Sequence, residues 1–195
     1  MSRSTGHPEN PANLPKPTHE TASPCLATPA HLLAAGTLLV AIISIVLLLF
    51  VQGWGRDLMA DLLLQPGGWI GALLVVAASA ILHELLHVLG WYALGRVPWT
   101  AVSVVPTWRG LGLAALLNAP VSMSVFRTAA LIPAALLGIL PLGFALMTGS
   151  GLVALWGSFF LFECITDLAL LMATRALPSA AQVVSHPTEL GCVVN

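Results

Sequence analysis

The feature that most constrains the fold is an apolar run from His31 to Val51 that contains no Asp, Glu, Lys or Arg. Leucine, isoleucine, valine and alanine fill almost all of it. An α-helix rises about 1.5 Å per residue, so about twenty such residues cross the hydrocarbon core of a bilayer. The run therefore predicts a membrane-spanning helix.

Composition extends this prediction to the whole chain. Of the 195 residues, 57% are hydrophobic and only 8% are charged, whereas soluble domains carry about 25% charged residues. So few charges cannot cover a water-exposed surface, which indicates an integral protein of the cell membrane with the lipid bilayer as a partner. The net charge of −1 argues against nucleic acid as a partner. The three cysteines are scattered and predict neither a disulfide framework nor a cysteine-based zinc site.

The apolar runs predict an all-α integral membrane protein with about four transmembrane helices and a short hairpin between the second and the third. The spans are expected at about residues 32–51, 69–92, 128–148 and 152–173. Residues 1–30 are interpreted as a disordered, proline-rich cytoplasmic tail, residues 31–175 as the four-span domain, and residues 176–195 as a short cytoplasmic tail. The hairpin is expected where TAVSVV and LGLAALLN flank a turn.

The positive charges predict the orientation, because cytoplasmic loops carry an excess of Lys and Arg. With four spans and a cytoplasmic amino terminus, the inner side holds six of these charges and the outer side holds one. The inner set is Arg3, Lys16, Arg96, Arg109, Arg127 and Arg175, and the outer residue is Arg56. The distribution predicts a multi-pass protein with both termini in the cytoplasm.

The second span contains the stretch His83-Glu84-Leu85-Leu86-His87. Its purely apolar part, 69–82, is too short to cross a bilayer, so the span reaches full length only by including these ionisable residues. Each of them costs about 2.5–3.5 kcal/mol at the membrane centre. On a helix, His83 and His87 share one face and can reach the same metal ion, and Glu84 can take a proton from a water molecule beside it.

A third ligand is expected from the fourth span. His83 lies 14 residues after Trp69 and Asp167 lies 15 residues after Leu152. Since both spans run in the same direction, the two side chains should lie at about the same depth. Glu163 lies one turn earlier on the same face, and the residues leave open whether it is the ligand or instead orients a ligand histidine through its second nitrogen.

This ligand set is typical of a catalytic zinc site, which uses three protein ligands and keeps one position open. The predicted ligands of Zn²⁺ are His83, His87 and Asp167, with Glu84 as the general base. His186 is a minor candidate for the site, although its place beyond the last span beside Pro187 favours a surface role. Asn118 is a candidate contact for a substrate backbone or, equally, a turn former. Gly90 is expected to allow close approach of a second helix.

Three stretches carry a family resemblance. They are HELLHVLGW, NAPVSMSVFRTAALIPAALLGILPL, and the acid of the last span followed by SHPTELGCVV. Together they resemble the putative zincin peptidase family over about residues 65–195. The resemblance implies a distant likeness to site-2 proteases, intramembrane zinc proteases in which HExxH pairs with an aspartate of a later helix; Asp167 fits that position. The chain departs from their pattern in having Cys-Ile-Thr-Asp where they have Leu-Asp-Gly.

The sequence therefore predicts a membrane-embedded zinc metalloprotease that hydrolyses a peptide bond in or near the membrane, with a membrane protein or peptide as substrate. One alternative is a non-catalytic metal-binding or partner-binding membrane protein that shares the ligands. Another is a small transporter component, in which His83, Glu84, Glu163 and Asp167 relay protons or ions.

Overall fold

The computed structural model describes residues 23–55, 68–107 and 112–194. Most of the predicted amino-terminal tail, the loop at residues 56–67 and the turn at residues 108–111 lie outside the described residues. So do Arg3, Lys16, Arg56 and Arg109, four of the charges on which the orientation rests.

Helix α1, Pro29–Trp54, is the predicted first span. Thr28 caps it by accepting the N–H of His31, while the His31 ring accepts the N–H of Thr28. Proline at the first helical position suits this start, and Gly55 ends the helix with a φ of 60°. Only three of the 26 residues are buried, so most of its apolar surface faces outward, as lipid contact requires.

Helix α2, Gly68–Gly95, contains the HELLH stretch. Helix α3, Met123–Pro133, leads through a π-helical turn, Ala134–Ile139, into α4, Leu140–Thr148. Proline lacks an N–H and clashes with the preceding turn, so the π turn directly after Pro133 absorbs the disturbance without ending the helix.

The last predicted span is broken. Helix α5, Gly151–Glu163, and helix α6, Ile165–Thr174, meet at Cys164 with a bend of 41°. The break makes Asp167 a first-turn residue of α6, where the positive end of the helix dipole favours a carboxylate.

In the part of the chain that the structure describes, six strands form two antiparallel sheets. Val102–Thr107 (β2) and Gly112–Leu117 (β3) make the predicted hairpin, after a short 3₁₀ turn at Trp99–Ala101. The second sheet has the order β1-β6-β5-β4. Its strands are Ser23–Leu26 (β1), Val121–Ser122 (β4), Gln182–Ser185 (β5) and Gly191–Val194 (β6).

The prediction of an all-α, four-span protein is therefore wrong. Two described helices, Pro29–Trp54 and the continuous Met123–Thr148, are long and apolar enough to cross a membrane, and the bent α5–α6 pair would add a third. Helix α2 is not among them. Its second half packs against β3, where the carboxylate of Glu84 accepts the N–H of Ala115. The remaining difference lies in β1, β5 and β6, which form from segments expected to be tails.

The main core lies where α2 and α3 meet the sheets. Its buried side chains are Val88, Trp91, Val97, Leu117, Val121, Met123, Phe126, Ala129, Val183 and Cys192. Gly90 allows α2 and α3 to approach closely, since a Cβ there would lie 2.9 Å from that of Ala129. In the sheet, Cys192 lies opposite Cys25, and burial raises the pKa of the Cys192 thiol to about 11. All three cysteines are free.

Candidate metal centre

The two histidines of HELLH lie on the inner face of α2. Each is 7% exposed, and their Nε2 atoms are 3.1 Å apart. The helix brings them together through its own geometry, because residues four apart lie one turn above each other. Asp167 of α6 contacts both rings and Ala129 of α3 contacts His87, so the imidazoles converge away from bulk solvent.

Asp167 enters between the two rings from α6. Its Oδ2 lies 3.0 Å from Nε2 of His83, and its Oδ1 lies 3.2 Å from Nε2 of His87. Ligands about 2.0–2.1 Å from a tetrahedral metal lie about 3.3 Å from one another. The three side chains thus offer converging ligand atoms at nearly the spacing that a metal ion imposes.

The proton positions also suit a metal. Nδ1 of His87 lies 3.1 Å from the carbonyl oxygen of Ala129, to which it can only donate. In the neutral ring this leaves a lone pair on Nε2, facing another imidazole and a carboxylate. Oδ2 of Asp167 is buried, with Nε2 of His83 as its neighbour at 3.0 Å. The imidazole nitrogens and carboxylate oxygens bring several lone pairs close together, with few protons to form hydrogen bonds between them. A bound cation would satisfy these lone pairs.

Glu84 lies beside this group, half-buried. Its Oε2 accepts the N–H of Ala115 at 2.6 Å. In β3 the odd-numbered residues direct their N–H groups away from β2, and Ala115 is one of them, so the strand edge fixes the carboxylate next to the histidines. His83, Glu84 and His87 are themselves close enough to form a metal-binding group.

The alternative acid, Glu163, is placed differently. Its Oε1 accepts the hydroxyl of Ser79 at 2.9 Å, one turn before His83, and its Oε2 is buried without a partner among the described residues. Asp167, rather than Glu163, is the acid between the two imidazoles. Cys164 was missed by the sequence reasoning: its Sγ lies 4.0 Å from Nδ1 of His83, and it forms a second candidate metal group with His83 and Asp167.

A cavity of about 520 Å³ is lined by Glu84, His87 and Asp167 among other residues. We call these three lining residues the helix wall, and we call the lining residues 113–116 of β3 together with the segment at residues 185–191 the hairpin wall. The two parts of the hairpin wall are joined by the N–H of Leu117, which donates to Oγ of Ser185 at 3.0 Å.

Of the two minor candidates, His186 and Asn118, only His186 lines the cavity. His186 lines the cavity from the hairpin wall, although the sequence favoured a surface role for it. Asn118 does not line the cavity; its exposed side chain donates to Oγ of Ser103. The SHPTELG run was the available signal for His186, but only the pairing of β5 with β4 and β6 carries that run to the site.

A sequence model of the putative zincin peptidase family matches residues 73–182, more than half of the chain. The chain belongs to this family. The matched segment runs from α2, with the HELLH stretch, through Asp167 to the first residue of β5. No curated protein matches the chain, and no solved structure matches it. Family membership agrees with the resemblance drawn from the motifs, and it makes a zinc-dependent peptidase the reaction class to test.

Proposed function

We propose that this putative zincin peptidase is a zinc-dependent metallopeptidase that hydrolyses a peptide bond in or beside a membrane. The observation that carries the proposal is the convergence of His83, His87 and Asp167 next to Glu84 at the wall of a cavity. The family's description supports the reaction class, and two helices of span length support the setting. The predicted cytoplasmic location of both termini stays a prediction.

In this proposal, Nε2 of His83, Nε2 of His87 and one oxygen of Asp167 hold the zinc. Bound there, zinc supplies a Lewis acid that polarises the peptide carbonyl and makes a water molecule more acidic. The carbonyl of Ala129 fixes the ring of His87 by accepting from Nδ1. Such outer hydrogen bonds set the orientation and basicity of a ligand histidine.

Glu84 is the proposed general base. Ala115 holds Oε2, so Oε1 is the oxygen that takes a proton from the attacking water. The water oxygen bonds to the carbonyl carbon, the carbon–nitrogen bond breaks, and Glu84 returns the proton to the leaving amine. The products are a new carboxyl group and a new amine, which together hold both protons of the water, and the carboxylate of Glu84 is regenerated.

The test combines metal content with cleavage. The full chain is purified in detergent, its zinc is measured, and it is incubated with a mixture of unstructured synthetic peptides whose new termini are read by mass spectrometry. We expect stoichiometric zinc and cleavage in the wild type. Glu84→Gln should keep the zinc and lower cleavage by about 10²–10⁴-fold, and His83→Ala should lose both.

Two results would contradict the proposal. A wild-type protein without stoichiometric zinc would remove the metal site. A protein that binds zinc but cleaves no more peptide than Glu84→Gln would instead be a non-catalytic metal-binding member of the family.

A further inference from the structure

The inference concerns His186, which lines the same cavity as the metal group. His186 lies in the loop that joins β5 to β6, on the hairpin wall, and Glu84, His87 and Asp167 line the cavity as well. A peptide held in this cavity against the helix wall would therefore share the cavity with His186. Nothing in the HELLH motif or its partners accounts for a histidine at this place.

The turn around His186 determines which ring nitrogen carries the proton. The backbone N–H of Glu189 points at Nδ1 from 2.9 Å, and the N–H of Thr188 points at the same atom from 3.4 Å. A nitrogen that accepts these bonds cannot carry a hydrogen. In the neutral imidazole the hydrogen must then lie on Nε2, so His186 offers one donor of known position.

The loop is also held at both ends. The N–H of His186 donates to the carbonyl of Gly191 at 3.0 Å, and the preceding Ser185 accepts the N–H of Leu117 from the edge of β3. A donor fixed by the backbone before substrate arrives costs little reorganisation when charge develops beside it.

We infer that Nε2–H of His186 donates to the carbonyl oxygen of the scissile peptide as that oxygen becomes negative. The inference rests on the proposed peptidase function and adds a catalytic residue to it. No bond to His186 forms or breaks: the water oxygen adds to the carbonyl carbon, the carbonyl electron pair moves to the oxygen, and the imidazole N–H stabilises the charge there. When the carbon–nitrogen bond breaks, the carbonyl re-forms and the hydrogen bond weakens.

Two substitutions separate this role from a role in the turn. His186→Asn places an oxygen near the position of Nδ1, where it can accept from Glu189, but it has no donor at the position of Nε2. His186→Gln carries a donor near that position. Relative to wild type, we expect His186→Asn to lower kcat by about 10²–10³-fold with KM and zinc content nearly unchanged, and His186→Gln to recover at least part of the loss. His31→Asn, the same change at the start of α1, should match wild type.

Two further measurements do not depend on turnover. Nitrogen NMR of isotope-labelled histidine in the metal-free protein should show the proton of His186 on Nε2. A phosphinic peptide, which carries a tetrahedral anion in place of the scissile bond, should bind the zinc-loaded wild type about 10²–10³-fold more tightly than it binds His186→Asn. An uncleaved peptide of the same sequence should bind both proteins alike.

The outcomes are separable. If the wild type cleaves no peptide, the peptidase proposal fails, and the phosphinic peptide still decides the role of His186. Equal affinity of that peptide for wild type and His186→Asn overturns the inference, as does a proton on Nδ1 or an equal loss in the Asn and Gln variants. In each of these cases His186 only shapes the turn.

Discussion

The two walls of the cavity are built in different ways. The helix wall takes its chemistry from side chains of two helices: His87 shares one face of α2 with His83, and the first turn of α6 supplies Asp167. The hairpin wall takes its position from hydrogen bonds between segments far apart in the chain, such as that of Leu117 with Ser185. In the proposed function the two walls have different tasks: the helix wall contributes metal ligands, and the hairpin wall contributes the donor inferred for His186.

The division predicts that the two walls respond to substitution through different measurements. Changes in the helix wall should alter zinc affinity, and changes in the hairpin wall should alter peptide binding or turnover while zinc stays bound. A hairpin-wall variant that loses zinc, or a variant of a metal ligand that keeps it, would break the comparison.

The largest effect is expected for Asp167→Asn. The amide has nearly the same size as the carboxylate and can donate to a lone pair on His83 or His87, so the fold should be retained. The neutral amide oxygen is a far weaker ligand, and loss of an outer partner alone costs about 10–100-fold in metal affinity. Zinc affinity, measured by competition with a chelator, should therefore fall by more than about 100-fold.

Glu163→Gln is the matched control for that variant. The amide can still accept the hydroxyl of Ser79, and the structure places Glu163 outside the group that Asp167 forms with the two histidines. Its zinc affinity should change by less than about 10-fold, the lower bound for an outer partner. A larger loss in Glu163→Gln than in Asp167→Asn would exchange the roles of the two acids.

The helix wall was the part of the site that sequence could predict. The pattern His-Glu-x-x-His needs only the repeat of one helix, and α2 at Gly68–Gly95 contains the predicted segment 69–92. The expectation that Asp167 lies at the same membrane depth as His83 then pointed to Asp167 as the third ligand. Two helical spans that run in the same direction rise by the same amount per residue. The break between α5 and α6 at Cys164 could not be predicted from the sequence, since no proline or glycine lies at that position.

The hairpin wall could not be predicted to the same extent. The β2–β3 hairpin is local, and its two strands were expected. The second sheet is not local: Ser23 pairs with Val194, and Val121 pairs with Val183. Strands of two to four residues give no alternation long enough to detect, and their partners lie across the chain. Because these segments were interpreted as tails, the strands that carry His186 to the cavity were not predicted.

A smaller effect is expected where the helix wall depends on close packing. In Gly90→Ala the new Cβ would lie 2.8 Å from Cδ1 of Ile132 and 2.9 Å from Cβ of Ala129. Overpacking of this kind costs about 1–3 kcal/mol, measured as a lower free energy of unfolding in detergent. Because the carbonyl of Ala129 holds His87, zinc affinity should fall as well, by up to about 10-fold.

Gly71→Ala is the control on the same helix. A Cβ at Gly71 would meet nothing within 4 Å, so the variant should be neutral or more stable by up to about 1 kcal/mol. Equal destabilisation by both variants would show that the loss comes from the helix itself and not from the contact between α2 and α3.

The smallest effect is expected for Ser185→Ala in the hairpin wall. The change removes the acceptor for the N–H of Leu117, whose side chain is fully buried. An amide that loses its partner costs about 1–3 kcal/mol when water cannot reach it; water in the adjacent cavity can replace the hydroxyl here, so we expect about 1 kcal/mol. Hydrogen exchange at Leu117 should accelerate, and KM for peptide should rise while zinc affinity stays constant.

Ser103→Ala, which removes only the bond with the exposed side chain of Asn118, is the control and should leave KM unchanged. Zinc loss in Ser185→Ala would mean that the hairpin wall also supports the ligands through Ala115 and Glu84, and the two walls would then act as one unit.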